Sequence, residues 1–435
     1  MSEAVAPRSG AGEYRQSPFA RFMQATELDT RLLGMLGALA IIWIGFDIAS
    51  GGVFLTPRNL WNLSVQTASI AVMATGMVLV IVTRNIDLSV GSVLGFLGMV
   101  MGVTQAEILP QYLGYDHGAT WVVALVVGMV VGGCIGALHG FVIAYLGVPA
   151  FIVTLGGLLA WRGAAWWMTS GRTVAPMDST FRLMGGGPEG SVGEWATWAI
   201  GLVASLLVLL LLWSNRRQRV KFRFPLRPLW AEAFLLGVAC VAILGAVRIV
   251  NAHPWPPRVA ERWLQAQGLP VPDGGAFIAH GLAIPVLIAL GVGIVMTFIT
   301  LRTRFGRYVF AIGGNPEAAN LAGVNTKWVV MKIFVLMGVL CAIAAAISTA
   351  RLNAATNAQG TLDELYVIAA AVIGGTSLGG GVGTVAGAML GALIMQSLQS
   401  GMVLIGLDTP LQNIVVGAVL VVAVWADTTY RRRFK

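Results

Sequence analysis

The sequence predicts an all-α polytopic membrane protein of about 10–12 transmembrane helices, with glycine-rich broken segments and a weak internal repeat. Three observations carry this. The chain is 57% hydrophobic and only 11% charged, with a mean hydropathy of +0.80, which does not describe a water-facing surface. Its apolar residues come in runs near the ~20 residues that cross a bilayer core as a helix. Its 55 glycines would weaken helices in water but let backbones approach closely in lipid.

In chain order, residues 1–31 mix acids with bases and lack the apolar stretch of a cleavable signal, so they read as a cytoplasmic tail. A transmembrane domain follows over 32–427, with spans near 32–50, 60–83, 88–107, 121–145, 149–169, 196–213, 229–250, 280–301 and 328–350. The glycine-interrupted region 365–407 has the length for two crossings, and a last span at 411–427 leads into the tail 428–435.

The net charge of +9 invites a nucleic-acid reading, but the basic residues sit at the ends of apolar runs. Threading by the positive-inside rule puts Arg216, Arg217, Arg219, Lys221, Arg223 and Arg227 in a cytoplasmic loop, 214–228. It puts Arg302, Arg304, Arg307 and Lys327 at a second cytoplasmic segment, 302–327, with Lys332 just beyond it on the same side, and Arg431, Arg432, Arg433 and Lys435 in the tail. The other side, including a loop at 251–279, receives Arg58, Arg172 and Arg258 beside Glu107, Asp116, Glu189, Glu194, Glu261 and Asp273. Both termini are thus expected inside, with the lipid bilayer and no nucleic acid as the surroundings. Cys134, Cys240 and Cys341 lie singly in apolar runs, so neither a disulfide, a metal site nor a cofactor is expected.

Two glycine ladders recur every four residues: Gly128, Gly132, Gly136, Gly140 and Gly379, Gly383, Gly387, Gly391. In a helix this spacing lines one face, the ordinary device for packing membrane helices. An internal echo links TRNIDLSVGSVLG at 83–95 with GGTSLGGGVGTVAG at 374–387, as in transporters built from repeated, broken segments.

The most informative polar stretch is RTRFGRYVFAIGGNPEAANLAGVN. Asn315 suits a helix N-cap, Pro316 the first helical position, Glu317 the positive end of the dipole and Gly323 the stop. A helix of about seven residues is too short to stand alone in water. It is either a connector packed on its own protein or a coupling helix that docks into a separate ATPase.

Asp87, at the edge of a span, is a functional candidate by default or else an N-cap with Ser89 and Ser92. His139 and Asp47 carry the same two readings, structural pairing or a place on a path. Thr376 and Ser377, at a helix break, complete the candidate path with Asp87, Ser89 and His139. Gly375 to Gly379 also spell the G-x-S-x-G of serine hydrolases, but that motif needs a strand before the serine, and the flanks read as helix. An ion-coupled transporter would want mid-membrane carboxylates, where this chain offers only Asp47 and Asp87 near span ends. No Walker A motif is present, since none of the four lysines follows a glycine.

YVFAIGGNPEAANLAGVN resembles the coupling segment of the ribose and xylose family of ABC permeases, whose pattern AIGGN-EAA-L-G is matched here by Gly313, Gly314, Asn315, Glu317, Ala318, Ala319 and Gly323. IVTRNIDLSVGSVLG, VPAFIVTLGGLLAWRG, VIGGTSLGGGVGTVAGAMLGALIM and VVAVWADTTYRRR extend the resemblance from about residue 55 to the end. The extra spans around 214–228 make the chain most similar to the xylose type, from which the long segment 251–275 departs. The resemblance implies a sugar importer of two such permeases, two ABC ATPase subunits and a periplasmic sugar-binding protein, with no catalysis in the permease itself.

Overall fold

A computed structural model describes residues 18–272 and 275–433. Residues 1–17 of the expected tail, Asp273 and Lys435 lie outside the described residues. The order begins with α1 (Pro18–Thr26), α2 (Thr30–Ala49), α3 (Pro57–Val82), α4 (Val90–Val103), α5 (Pro110–Leu113), α6 (Thr120–Ala144), α7 (Ala150–Thr169), α8 (Ser179–Arg182) and α9 (Gly193–Lys221). It continues with α10 (Leu229–Asn251), α11 (Pro257–Ala266), α12 (Ile284–Arg302), α13 (Arg304–Gly314), α14 (Pro316–Leu321), α15 (Thr326–Leu352), α16 (Asp363–Ile373), α17 (Val385–Leu404) and α18 (Thr409–Arg433).

Among the described residues nine helices are long and apolar enough to cross a membrane: α2, α3, α4 with its extension to Leu113, α6, α9, α10, α12, α15 and α17. To these α7 adds 20 residues interrupted by Arg162, and α18 an apolar stretch at Thr409–Trp425. Only isolated bridges, and no strands, occur among the described residues. With no water in a bilayer core, each backbone group must be bonded within its own segment, which a helix achieves and an open strand does not.

The helices sort by how much apolar surface they hide. In α3 89% of the apolar window is buried in protein and in α15 61%, whereas α9 and α10 bury 11% each and α2 none. The core therefore centres on α3, α15, α4, α16 and α17, while α9 and α10 pair with each other at the periphery and turn most of their leucines outward, to lipid. Glycine lets α6 lie against α15: at Gly132, Gly136 and Gly140 an added Cβ would strike the backbone at Gly338, Phe334 and Met331. Gly128, the fourth of that ladder, faces the Met101 side chain.

Three expectations change. The second ladder is split, because α17 begins only at Val385 behind its N-cap Thr384, whose side chain accepts from the Gly387 N–H. Gly387 and Gly391 pack on the carbonyls of Gly374 and Ala370, but Gly379 and Gly383 belong to the preceding loop. Region 365–407 is one full-length helix, α17, preceded by the 11-residue α16, which is too short to cross alone. The basic stretch 214–228 is half helix, since α9 runs on to Lys221. Arg216 on that extension pairs with Glu232, and Arg219 joins Arg227 in holding Glu27.

The bundle has two distinct ends. At one, the C-terminus of α3 meets α13 and the loop before α17, with the Gly381 N–H donating to Val82 O at 3.0 Å. At the other, Trp61 near the start of α3 donates its indole N–H to Gly281 O at 2.9 Å, under a loop in which His253 and His280 stack 4.3 Å apart.

Candidate functional site

The segment between α12 and α15 is built from caps. Thr303 caps α13 by accepting from the Gly306 N–H, Asn315 caps α14 by accepting from the Ala318 N–H at 3.0 Å, and Asn325 caps α15 through the Trp328 N–H at 3.0 Å. Pro316 takes the first position of α14, and Gly323 ends it at φ +83°, a conformation that glycine adopts without strain. Sequence reading placed α14 and missed α13, whose arginines and aromatics hid an amphipathic helix. Only Ala319 of α14 is buried; Pro316, Glu317 and Ala318 are exposed and Leu321 is 89% exposed. The helix therefore has little of its own protein to pack on.

α13 ties this exposed helix to the core. Arg84, just past the C-terminus of α3, donates from Nε to Gly313 O at 3.0 Å and from Nη2 to Gly314 O at 2.9 Å. A guanidinium at a helix C-terminus satisfies carbonyls that have no partner within the helix and complements the dipole. Gly313 is wedged so closely that a Cβ there would strike Val82 O and the Gly381 backbone. Three segments thus meet at one joint: the end of α3, the end of α13 and the glycine loop 374–384, in which Gly380 and Gly381 take φ of +84° and +75°.

Ser377 lies in that loop. Its Oγ accepts from the Gly379 N–H at 3.2 Å, its N–H donates to Val382 O at 2.8 Å, and it is 1% exposed. Helix α16 precedes it where a hydrolase elbow needs a strand. Thr376, fully buried, packs against Gly383.

The other three candidate path residues come together away from the joint, inside the bundle. Ser89 donates its backbone N–H and its Oγ–H to Asp87 Oδ1 at 2.9 and 2.6 Å, and lies 3.5 Å from His139 Nδ1. Trp161 donates its indole N–H to His139 Nε2 at 3.0 Å. Because tryptophan can only donate, Nε2 is the acceptor, and the neutral ring carries its proton on Nδ1, facing Ser89. The chain Trp161–His139–Ser89–Asp87 closes a space of about 10 Å³, far below the size of a sugar site. Asp87 and Ser89 thus open α4 inside the membrane, as an N-terminal turn after the break 83–89.

A second break, 353–362, runs beside α4. Gly91, Gly95, Gly98 and Gly102 each carry no side chain where one would strike Gly360, Gln359 or Ala355. This glycine stripe, spaced four, three and four, was legible in the sequence but was not read. Arg162 of α7 donates to Asn357 O and Gln359 O at 2.9 and 2.7 Å, which supplies partners for carbonyls that lie in no helix.

Between this break and the end opposite the joint lies a cleft of about 430 Å³. Asn59 and Gln66 of α3, Gln396, Gln399 and Ser400 of α17 and Asp363 of α16 line it. None of the five candidate path residues does. The missed signal is a polar face on otherwise apolar helices, Asn59–Asn62–Gln66–Ser69 at spacings of three and four.

Comparison with known proteins agrees with this architecture. The family model described as "Branched-chain amino acid transport system / permease component" matches residues 59–219 and 195–424. The chain is 37% identical over 412 residues to the xylose transport system permease protein XylH of Escherichia coli, covering 95% of each chain. It is 36% identical over 401 residues to XylH of Haemophilus influenzae, covering 92% of this chain and 96% of the relative. The ribose import permease protein RbsC of Escherichia coli is more distant, at 30% over 374 residues, 86% of this chain and 87% of the relative. No solved structure matches. A multi-pass bundle with two breaks inside the membrane, matched by that model over most of its length, belongs to the family of transport-system permease components.

Proposed function

We propose that this chain is the permease subunit of an ATP-driven importer of sugar, with xylose as the cargo. A separate ABC ATPase subunit supplies the energy, a periplasmic binding protein delivers the sugar, and a second copy of the permease completes the path in the inner membrane. The observation that carries the coupling role is α14 itself: six residues, almost wholly exposed, with Leu321 bare to solvent, yet wired to α3 and to the loop before α17 through Gly313 and Arg84. A helix this short needs a surface to pack on, and an ATPase supplies one. The excess of arginine and lysine at this end supports its being cytoplasmic, with both termini on the same side. The XylH relatives, at 36–37% identity, support xylose over ribose.

When the ATPase pair closes, α13 and α14 move as one capped unit and pull on the joint. The ends of α3 and of the loop leading to α17 follow, and the two permease copies rearrange as rigid bodies. The test is uptake of labelled xylose, ribose and galactose into vesicles that hold this chain, its ATPase and its binding protein. ATP-dependent uptake of xylose in preference to the others is expected, and Glu317→Arg should abolish it while the permease stays folded. Absence of ATP-dependent uptake of any sugar would overturn the proposal.

A further inference from the structure

We infer that the amide-lined cleft between α3 and α17 is a binding site for free sugar within the permease, a station the cargo occupies after it leaves the binding protein. The inference rests on the importer reading above and adds to it the place where the sugar is held.

The cleft begins at Asn59, two residues into α3, and reaches Ile70, which at ~1.5 Å per residue is a depth of about 16 Å, roughly half of a hydrocarbon core. At that depth, carboxamides and hydroxyls on an open face cannot lie against lipid. They mark water or a polar cargo. The cleft's floor is Gly360 and Asp363, beside the break 353–362, so it stops where the backbone of the core is itself interrupted.

Arg351 and Asp363 bring one charge of each sign to the lining, and the rest of it is carboxamide, hydroxyl and apolar, a chemistry that suits an uncharged polyhydroxyl molecule. Gln396 Nε2 donates to Gln66 Oε1 at 3.2 Å and to Gln399 Oε1 at 3.0 Å, and Ser400 Oγ donates to Asn59 Oδ1 at 3.4 Å. Each carboxamide offers two N–H donors and two acceptor lone pairs; Gln396 uses both donors in these bonds and Asn59 uses one toward Phe54 O, which leaves acceptor capacity on Gln396 and donor capacity on Gln66 and Gln399. What is left over can both donate to and accept from a sugar hydroxyl, which itself does both. The volume, about 430 Å³, falls within the range of small-molecule sites. No aromatic side chain lines the cleft, so the sugar gains no ring to stack on and is held weakly, as a site of passage requires.

The experiment uses the complete complex of permease, ATPase and binding protein in vesicles. Gln396→Leu keeps a side chain of similar bulk and removes the hydrogen bonds. It should lower xylose uptake at least tenfold, while ATP hydrolysis stimulated by the sugar-loaded binding protein continues. In parallel, Leu404→Cys, at an exposed apolar residue of the cleft's lining that has no hydrogen-bonding side chain, is treated with a membrane-impermeant cationic thiol reagent. It should react faster than the parent chain with its three native cysteines, and millimolar xylose should slow the reaction at least threefold. Full uptake by Gln396→Leu, or labelling of Leu404→Cys no faster than the parent, would overturn the site, the latter by showing the face closed against a second copy. Xylose-independent labelling would reduce the cleft to a water-filled space and overturn it equally. If the unsubstituted complex imports no sugar, the importer reading itself falls, an outcome distinct from a working importer indifferent to Gln396.

Discussion

Arg84→Ala cuts the joint between the exposed helix and the core without altering the exposed face of α14. Two bonds disappear, from Nε to Gly313 O and from Nη2 to Gly314 O. Hydrogen bonds from a charged donor contribute ~1.5–3 kcal/mol each when shielded. Arg84 is exposed, so a figure near 1 kcal/mol apiece is appropriate, about 2 kcal/mol together. At ~1.4 kcal/mol per factor of ten, the joint would hold about 30-fold less tightly. Alanine inherits the φ of +62°, so backbone strain is unchanged between parent and variant. The assay is sugar taken up per ATP hydrolysed in vesicles with the ATPase and binding protein. Hydrolysis should continue and the ratio should fall about 10- to 30-fold, in proportion to the loss of the joint. Arg84→Lys should behave like alanine more than like arginine, because one ammonium lacks the fork that reaches both carbonyls. An unchanged ratio in Arg84→Ala would refute the claim that force passes through these two bonds.

Two further predictions test the packing and the arginine-rich end of α9. Gly136→Ala places a methyl against Phe334 O and should destabilise the protein by about 1–3 kcal/mol, read as a lower midpoint in detergent thermal unfolding; Gly133→Ala, whose nearest neighbour would be Val339 at 3.7 Å, should be tolerated. Glu27, held by Arg219 and Arg227, has its pKa lowered from 4.5 to about 2. Its carboxylate therefore adds stability that is present above pH 4.5 and lost as pH falls toward 2, so the stability difference from Glu27→Gln should be present at pH 7 and shrink across that window. The difference will be small and salt-sensitive, because Glu27 is 42% exposed.

Most span boundaries were legible because a bilayer imposes them: a run of about 20 apolar residues must be helical to satisfy its backbone. Asn315, Pro316 and Gly323 were legible for a local reason, since caps act on groups within four residues. The failures share a cause. The glycine spacing at 379–391 looks the same whether or not the chain is helical, and only the packing of Gly374 on Gly387 and the cap at Thr384 fix where α17 starts. Asp87, Ser89 and His139 were candidates for a path because polar residues in membranes are costly. Which of such residues satisfy one another and which line open space depends on partners 50 residues apart in sequence, as Ser89 and His139 are.

What the sequence determined by itself is a multi-pass bundle and the short capped helix at Pro316–Leu321, both consequences of local hydrophobicity and hydrogen bonding. Tertiary structure alone decided where the end of α13 meets the core and which face stays polar. Arg84 reaches Gly313 across 229 positions, and Gln396 reaches Gln66 across 330. Contacts between residues so far apart are set by how helices stack through glycine and amide surfaces, and no local pattern records them.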